Sequence, residues 1–215
     1  MSRGPGEELG ALASSILAQL EAAHAAREAG LSSCRQAIRS SGRAIRAVHR
    51  LDLTLAAQLT AEAETAVRHA QEVLRPFPSV AHAGFLHDAE KEYVEAVATA
   101  ALVGGESPPG HEAMAVGLPA WLNGLAEAAS ELRRHLLDRL RSGDLDRAEE
   151  LLSTMDEVYD LLMLVDFPDA ITGGLRRTTD ALRAVLERTR ADLTTTVLQS
   201  RLQAAIEEGR RAVGA

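Results

Sequence analysis

Four glutamates, arranged as two pairs, are the residues of this chain whose types and spacing could support metal chemistry. Glu92 and Glu95 are three residues apart, and Glu127 and Glu131 are four residues apart. Each spacing places both members of a pair on one face of a helix. If the two helices pack together, the four carboxylates converge, and their mutual repulsion raises their pKa values unless cations neutralise them. Carboxylate oxygens favour Mg²⁺ or Mn²⁺, which can activate water against a phosphodiester.

The spacing of these acids leaves an alternative open, because acidic pairs also occur on ordinary solvated helix faces. A carboxylate-bridged di-iron site is disfavoured, since it needs a histidine three residues after a glutamate. His135 stands four residues after Glu131. The seven histidines and the single cysteine, Cys34, show no spacing that indicates a second catalytic site, and no glycine-rich phosphate loop is present.

A row of arginines follows the first predicted helix, in a window from Gly30 to Leu51 that contains no acidic residue. At about 100° per residue the five arginines fall within an arc of roughly 80°, away from the apolar face. Like charges at this spacing repel one another, so the row indicates a use, and such rows can follow a phosphate backbone. A solvated face, or ion pairs with acids of a neighbouring subunit, are the alternatives. The predicted RNA-binding residues are Arg35, Arg39, Arg43, Arg46 and Arg50, with the bordering His49, for which a plain surface histidine is the simpler interpretation.

Composition restricts the classes of function. The chain has 215 residues and a net charge of −8, which argues against a general nucleic-acid coat protein. Of its 23 basic residues only Lys91 is a lysine, a bias that base composition of the genome explains for the total. A single cysteine excludes an intramolecular disulfide and a cysteine-based zinc site. With no apolar run of membrane-spanning length and no signal peptide, we expect a cytoplasmic protein without a membrane partner.

Helical periodicity runs almost throughout the chain, and no convincing strand pattern is present. We predict one elongated all-α domain over 1–215, with a glycine- and proline-rich loop at 103–118 and flexible ends at 1–6 and 210–215. Short connections between long helices imply antiparallel neighbours. The predicted helices cover Glu7–Arg50, 52–75, Ser79–Leu102, Pro119–Gly143, 144–165, and a last segment from Pro168 to Arg211 that Gly173 and Gly174 break or bend.

Four stretches together resemble the translin superfamily, and specifically its TRAX branch. The run Glu92-Tyr93-Val94-Glu95-Ala96-Val97 is similar to the Glu-Tyr-Val-Glu-Ala-Val of TRAX, which translin itself lacks. The other three stretches follow the family's order and span most of the chain. They are the arginine row from Arg35 to Arg50, the segment Leu122-Asn123-Gly124-Leu125-Ala126-Glu127 continuing to Tyr159-Asp160, and Gly173-Gly174-Leu175-Arg176-Arg177 continuing to Thr194.

This resemblance implies about six to seven antiparallel helices, assembled into a closed barrel, typically a homo-octamer, that encloses RNA. It also implies Mg²⁺-dependent (or Mn²⁺-dependent) endoribonuclease activity without sequence readout. By position, Glu92, Glu95 and Glu127 would be catalytic and hold the metal, with Glu131 in support. Glu127 stands where TRAX has an aspartate, a departure that moves the carboxylate by about 1 Å or more. A basic lumen would reconcile the arginine row with the acidic total.

Two other functions fit the same residues. The chain could be a non-catalytic, translin-like module that holds RNA or single-stranded DNA, an interpretation that ion pairs between Glu92 or Glu95 and arginines of another subunit would favour. It could also be a helical scaffold without a nucleic-acid role, in which case replacement of Arg39, Arg43 and Arg46 would change nothing.

Overall fold

The computed structural model describes residues 5–213. Within that range the chain forms nine helices and no strand, and the structure is 87% helical. The predicted all-α class is therefore confirmed. Six helices are long, namely α1 (Pro5–His49), α2 (Leu53–Leu74), α4 (Phe85–Gly104), α6 (Leu118–Ser142), α7 (Leu145–Met163) and α9 (Leu175–Val213). Three are single turns, namely α3 (Pro78–Ala81), α5 (His111–Met114) and α8 (Asp169–Thr172).

The helix boundaries follow local chemistry that the sequence shows. Asp52 caps α2, since its carboxylate accepts a hydrogen bond of 3.1 Å from the backbone N–H of Leu55. Asp144 caps α7 in the same way, through the backbone N–H of Arg147. Helix α6 ends at Gly143, whose φ of +78° is the left-handed conformation that glycine adopts without strain.

Two predicted boundaries differ from the structure. The helix predicted over Ser79–Leu102 is two helices, because Gly84 has a φ of +100° and interrupts the chain between α3 and α4. The loop predicted at 103–118 is shorter in the structure, because its first two residues belong to α4, which ends at Gly104. The predicted loop also contains the helical turn α5. Of the ends predicted to be flexible, 1–4 and 214–215 lie outside the described residues, whereas 5–6 and 210–213 belong to α1 and α9.

The long helices pack as two layers that share α4. Helices α1 and α2 form an antiparallel hairpin against one side of α4, around a core that includes Val48, Leu59 and Val67. Helices α6, α7 and α9 pack together on the other side, around Leu132, Met155 and Leu182. Helix α4 therefore lies between the arginine-bearing helix α1 and helix α6, which carries Glu127 and Glu131. None of the helices in the described range is both long and apolar enough to cross a membrane.

Candidate functional site

A close crossing of α4 and α6 positions the acidic residues. Gly124 of α6 lies so near α4 that a Cβ atom there would come within 2.6 Å of the Lys91 carbonyl oxygen and 2.7 Å of Val94 Cβ. Only glycine allows this approach, since the neighbouring atoms include backbone that cannot move aside cheaply. Glu127 stands one turn beyond Gly124 and is thereby brought to the face of α4 that carries Glu92.

Three of the four predicted acids converge at this crossing. Glu92, Glu95 and Glu127 each offer one carboxylate oxygen, and these oxygens all lie within 4.8 Å of one another. Glu95 is buried, with 9% of its surface exposed, whereas the side chains of Glu92 and Glu127 are about one-third exposed. The cluster thus has a buried floor and a side open to solvent, which is an arrangement that a cation can enter.

The burial and proximity of the three carboxylates disfavour a state in which all three are ionised without a neutralising cation. Burial, and then the charges of Glu127, Glu92 and Glu131, raise the pKa of Glu95 from 4.5 to about 8. Burial is also the main reason that the pKa of Glu92 is raised. Because each acid is held near another negative charge, a proton or a cation stabilises the group. Three convergent carboxylates without a nitrogen or sulfur donor fit the hard-oxygen preference of Mg²⁺ or Mn²⁺.

Lys91 also contacts the carboxylate cluster, although no role was predicted for it from the sequence. The Lys91 Nζ atom lies 2.8 Å and 2.7 Å from the two oxygens of Glu127 and 3.6 Å from Glu92 Oε1. Burial alone lowers the pKa of Lys91, but the hydrogen bond to Glu127 and the charges of the three glutamates raise it overall. The available signal was that the single lysine of the chain directly precedes Glu92.

Glu131 lies apart from the three convergent oxygens and binds a histidine instead. His49 Nε2 is 2.6 Å from Glu131 Oε2, and His49 Nδ1 is 3.1 Å from His135 Nε2. Burial, followed by the charge of His49, lowers the pKa of His135 to about 4, so His135 is neutral at pH 7. The three side chains therefore form a hydrogen-bonded chain from α1 to α6.

These hydrogen bonds change the interpretation of the histidines. His49 is not a plain surface residue, because its side chain is 5% exposed and both of its ring nitrogens are engaged. The spacing of the histidines also gave no indication that His49 and His135 meet where α1 passes α6. The sequence cannot show this pairing, because 86 residues separate the two. A direct contact of His49 with phosphate would require one of its two hydrogen bonds to break.

The arginine row forms an exposed stripe along α1. All five arginines are exposed, and within residues 5–213 of a single chain none of them forms an ion pair with an acid. Buried residues such as Ala37, Ala44 and Val48 occupy the other side of the same helix. Within a single chain the stripe is therefore an unneutralised cationic surface, and the same helix carries His49, which contacts Glu131 of α6.

Comparisons with known proteins identify relatives of this chain. No protein-family model matches it. The uncharacterized protein MJ0175 of Methanocaldococcus jannaschii is 28% identical over 121 residues, which are 56% of this chain. The matching region spans 54% of the length of that protein.

Solved structures match over most of the chain. The structure of an AfC3PO–duplex RNA complex is 31% identical, with a TM-score of 0.77, over 86% of this chain and 96% of that one. The crystal structure of AfC3PO is 32% identical, with a TM-score of 0.79, over 86% of this chain and 97% of that one. Apo-NeC3PO, at 17% identity and a TM-score of 0.77, covers 91% of this chain and 100% of its own and shows the shared fold.

These structures are C3PO proteins, of the translin/TRAX type, from Archaea and fungi. Because more than 30% of residues are identical over nearly the full length of AfC3PO, and because the helical fold is the same, the chain belongs to the translin superfamily.

Proposed function

We propose that this protein is a TRAX-like, metal-dependent endoribonuclease that encloses RNA in a closed homo-oligomer and cuts it without sequence readout. The observation that carries this proposal is the convergence of Glu92, Glu95 and Glu127 in a protein that also has an exposed arginine stripe. The complex of AfC3PO with duplex RNA, a relative of the same family, supports RNA as the ligand class.

The arginine stripe would bind and position the RNA. From Arg35 to Arg50 an α-helix rises about 22 Å, which is long enough to run beside several phosphates. Guanidinium groups form paired hydrogen bonds with phosphate oxygens, and binding releases counterions from the RNA. Phosphate contacts fix register and orientation but carry no sequence information. Cleavage by such a protein would depend on which phosphate is held at the carboxylates.

The carboxylate cluster would hold Mg²⁺ or Mn²⁺. A bound ion of this kind supplies Lewis-acid stabilisation of the phosphate and lowers the pKa of a bound water. Glu95 forms the buried floor, and Glu92 and Glu127 form the open side. Glu131, fixed by His49 beside the cluster, is the acid available to accept a proton from the attacking water. The glutamate at 127, where TRAX has an aspartate, is compatible with this assignment because its oxygen reaches the other two.

Assembly into a closed oligomer is supported by apolar faces that a single chain leaves uncovered. Near the start of α1, Leu9, Leu12, Ile16 and Leu20 lie on one side of the helix and are exposed. Leu198, Leu202 and Ile206 form a similar row near the end of α9. Apolar rows of this kind mark protein contacts, and we propose that they join copies of this chain into an octamer.

A second candidate function is a non-catalytic module that binds RNA or single-stranded DNA. The ion pair between Lys91 and Glu127 favours it, because a lysine already neutralises one of the acids that a metal would need. The stripe and the oligomer would be the same in both functions, so only cleavage separates them.

The test is cleavage of labelled RNA, single-stranded and duplex, by purified protein with Mg²⁺ or Mn²⁺. The wild type is compared with a Glu92→Gln/Glu95→Gln variant, and light scattering checks the size of both. A Glu149→Gln/Glu187→Gln variant, which changes two exposed acids outside the cluster, is the matched control. We expect the wild type and the control to cleave RNA only with metal, and the cluster variant to bind RNA without cleavage. Binding without cleavage in all three proteins would establish the non-catalytic module instead.

A further inference from the structure

We propose that the Lys91 ammonium is a built-in counter-cation of the carboxylate cluster, which holds Glu127 when no metal is bound and is displaced from it when a divalent cation binds. This inference rests on the proposed function, because it takes the cluster as a metal site. It adds a residue that controls how readily the metal enters.

The contacts of Lys91 place its charge at the position of a cation. Its Nζ atom is 2.8 Å and 2.7 Å from the two oxygens of Glu127, and 3.6 Å from Glu92 Oε1. Glu127 is itself one of the three residues whose oxygens converge. An ammonium bonded to both oxygens of Glu127 competes directly with any metal that needs the same carboxylate.

The presence of a lysine, rather than an arginine, at position 91 fits a cation that a metal can displace from Glu127. The chain has 22 arginines and one lysine, and the lysine stands in this cluster. An arginine would bind the carboxylate through a planar fork with two parallel hydrogen bonds, which resists exchange. A lysine carries a compact charge on a flexible four-carbon stem, and can change partners while its backbone stays in place.

The packing around Lys91 fixes its backbone but leaves its side chain free to move to solvent. Its carbonyl oxygen lies against Gly124, where no Cβ atom would fit. Its side chain is nevertheless 21% exposed, so the ammonium can move to solvent without disturbing the crossing of α4 and α6. Displacement of Lys91 is thus a side-chain rotation and needs no helix movement.

The first test measures Mn²⁺ binding to the full-length protein by calorimetry, with the Glu92→Gln/Glu95→Gln variant as the blank. Lys91→Met should bind Mn²⁺ at least about tenfold more tightly than the wild type, because the metal no longer has to break the ion pair between Lys91 and Glu127, an attraction larger than that factor even at an effective dielectric constant of 20. Lys91→Arg should bind Mn²⁺ more weakly than the wild type.

The control for net charge is Arg190→Met. Arg190 pairs with Asp156 at 2.7 Å, on α9 and α7, so this variant also loses one positive charge and one ion pair. Its Mn²⁺ affinity should match that of the wild type.

The second readout is thermal stability in EDTA and in Mn²⁺. Lys91→Met should melt at a lower temperature than the wild type in EDTA, since Glu127 loses its partner. Mn²⁺ should then raise its melting temperature more than it raises that of the wild type. A lysine that only braces the two helices would instead lower stability and Mn²⁺ affinity together.

The outcomes separate this inference from the proposed function. Tighter Mn²⁺ binding by Lys91→Met than by the wild type supports the role of Lys91 as counter-cation. If Lys91→Met binds Mn²⁺ and the wild type binds no metal, the counter-cation is still supported and only the metal-dependent function is refuted. Equal or weaker binding by Lys91→Met, with a wild type that does bind Mn²⁺, overturns the counter-cation and leaves the proposed function standing. No binding by either protein overturns both.

Discussion

His49 Nε2 lies 2.6 Å from Glu131 Oε2, which joins the arginine-bearing helix α1 to the helix that carries the candidate catalytic acids. His49 also contacts His135, whose lowered pKa keeps it neutral. The arginine-bearing helix α1 and helix α6, which carries Glu127, are therefore joined by a hydrogen-bonded chain whose two histidines are buried.

The first prediction concerns His49 as a positioning residue. We expect His49→Ala to reduce the rate of RNA cleavage by about 10- to 100-fold, because Glu131, the proposed proton acceptor, loses the residue that positions it and general-base catalysis contributes about 100-fold or more. RNA affinity should change little, because the five exposed arginines remain. Gel-shift affinity and single-turnover cleavage measure the two effects, with the exposed His69→Ala as control. A loss of RNA affinity as large as the loss of rate would show that His49 binds phosphate after all.

The second prediction concerns the arginine stripe. Replacing Arg39, Arg43 and Arg46 by glutamine should weaken RNA binding and reduce the slope of log affinity against log salt by about 2, since each single-strand phosphate contact contributes about 0.7. Affinity measured between low and moderate salt gives the slope. The control replaces three exposed arginines of α9, Arg188, Arg201 and Arg210, by glutamine. An unchanged slope in the stripe variant would show that RNA phosphates contact another surface of the protein.

The third prediction concerns pH. Glu95 has a pKa of about 8 in the folded protein and a normal value of 4.5, chiefly because of burial. The folded state therefore holds its proton more tightly than the unfolded state does. The stability that this group contributes is fully present below about pH 4.5 and is lost as pH rises through 8.

Denaturant unfolding in EDTA at pH values from 5 to about 9 measures this effect. Glu95→Gln, a neutral side chain of the same shape, should flatten the decline and be more stable than the wild type at the upper end. The exposed Glu187→Gln should keep the decline of the wild type. If Glu95→Gln declines as steeply as the wild type, another group causes the pH dependence.

The fourth prediction concerns Gly124. An alanine there would place its Cβ 2.6 Å from the Lys91 carbonyl oxygen, so α4 and α6 must separate. We expect a loss of about 1–3 kcal/mol in the free energy of unfolding, as for other overpacked cores, with weaker Mn²⁺ binding. Gly209→Ala, in an open part of α9, should slightly stabilise the protein. Unchanged Mn²⁺ binding in Gly124→Ala would mean that the crossing does not set the carboxylate geometry.

The sequence predicted most of the helices, because their signals are local. Asp52 and Asp144 mark helix starts, and Gly143 marks an end, through contacts within four residues. The break before α4 was missed, since a glycine such as Gly84 is also tolerated within a helical pattern and only its backbone conformation shows the interruption.

The convergence of Glu92, Glu95 and Glu127 was predictable from spacing only on the condition that their helices pack together. Gly124 makes that packing possible, but a glycine within a helix does not by itself reveal which helix approaches it. Lys91 and His135 were missed as partners for the same reason, because their contacts come from the crossing of helices distant in sequence. The roles of these residues in metal binding and catalysis stay predictions.

The most direct test of the central claim is the position of Mn²⁺ in crystals of the wild-type protein, located by its anomalous scattering. We predict one ion bound by the carboxylate oxygens of Glu92, Glu95 and Glu127, with the Lys91 ammonium moved away from Glu127. Crystals of a protein that cleaves RNA with Mn²⁺, but in which the ion lies elsewhere and Lys91 remains on Glu127, would contradict the account.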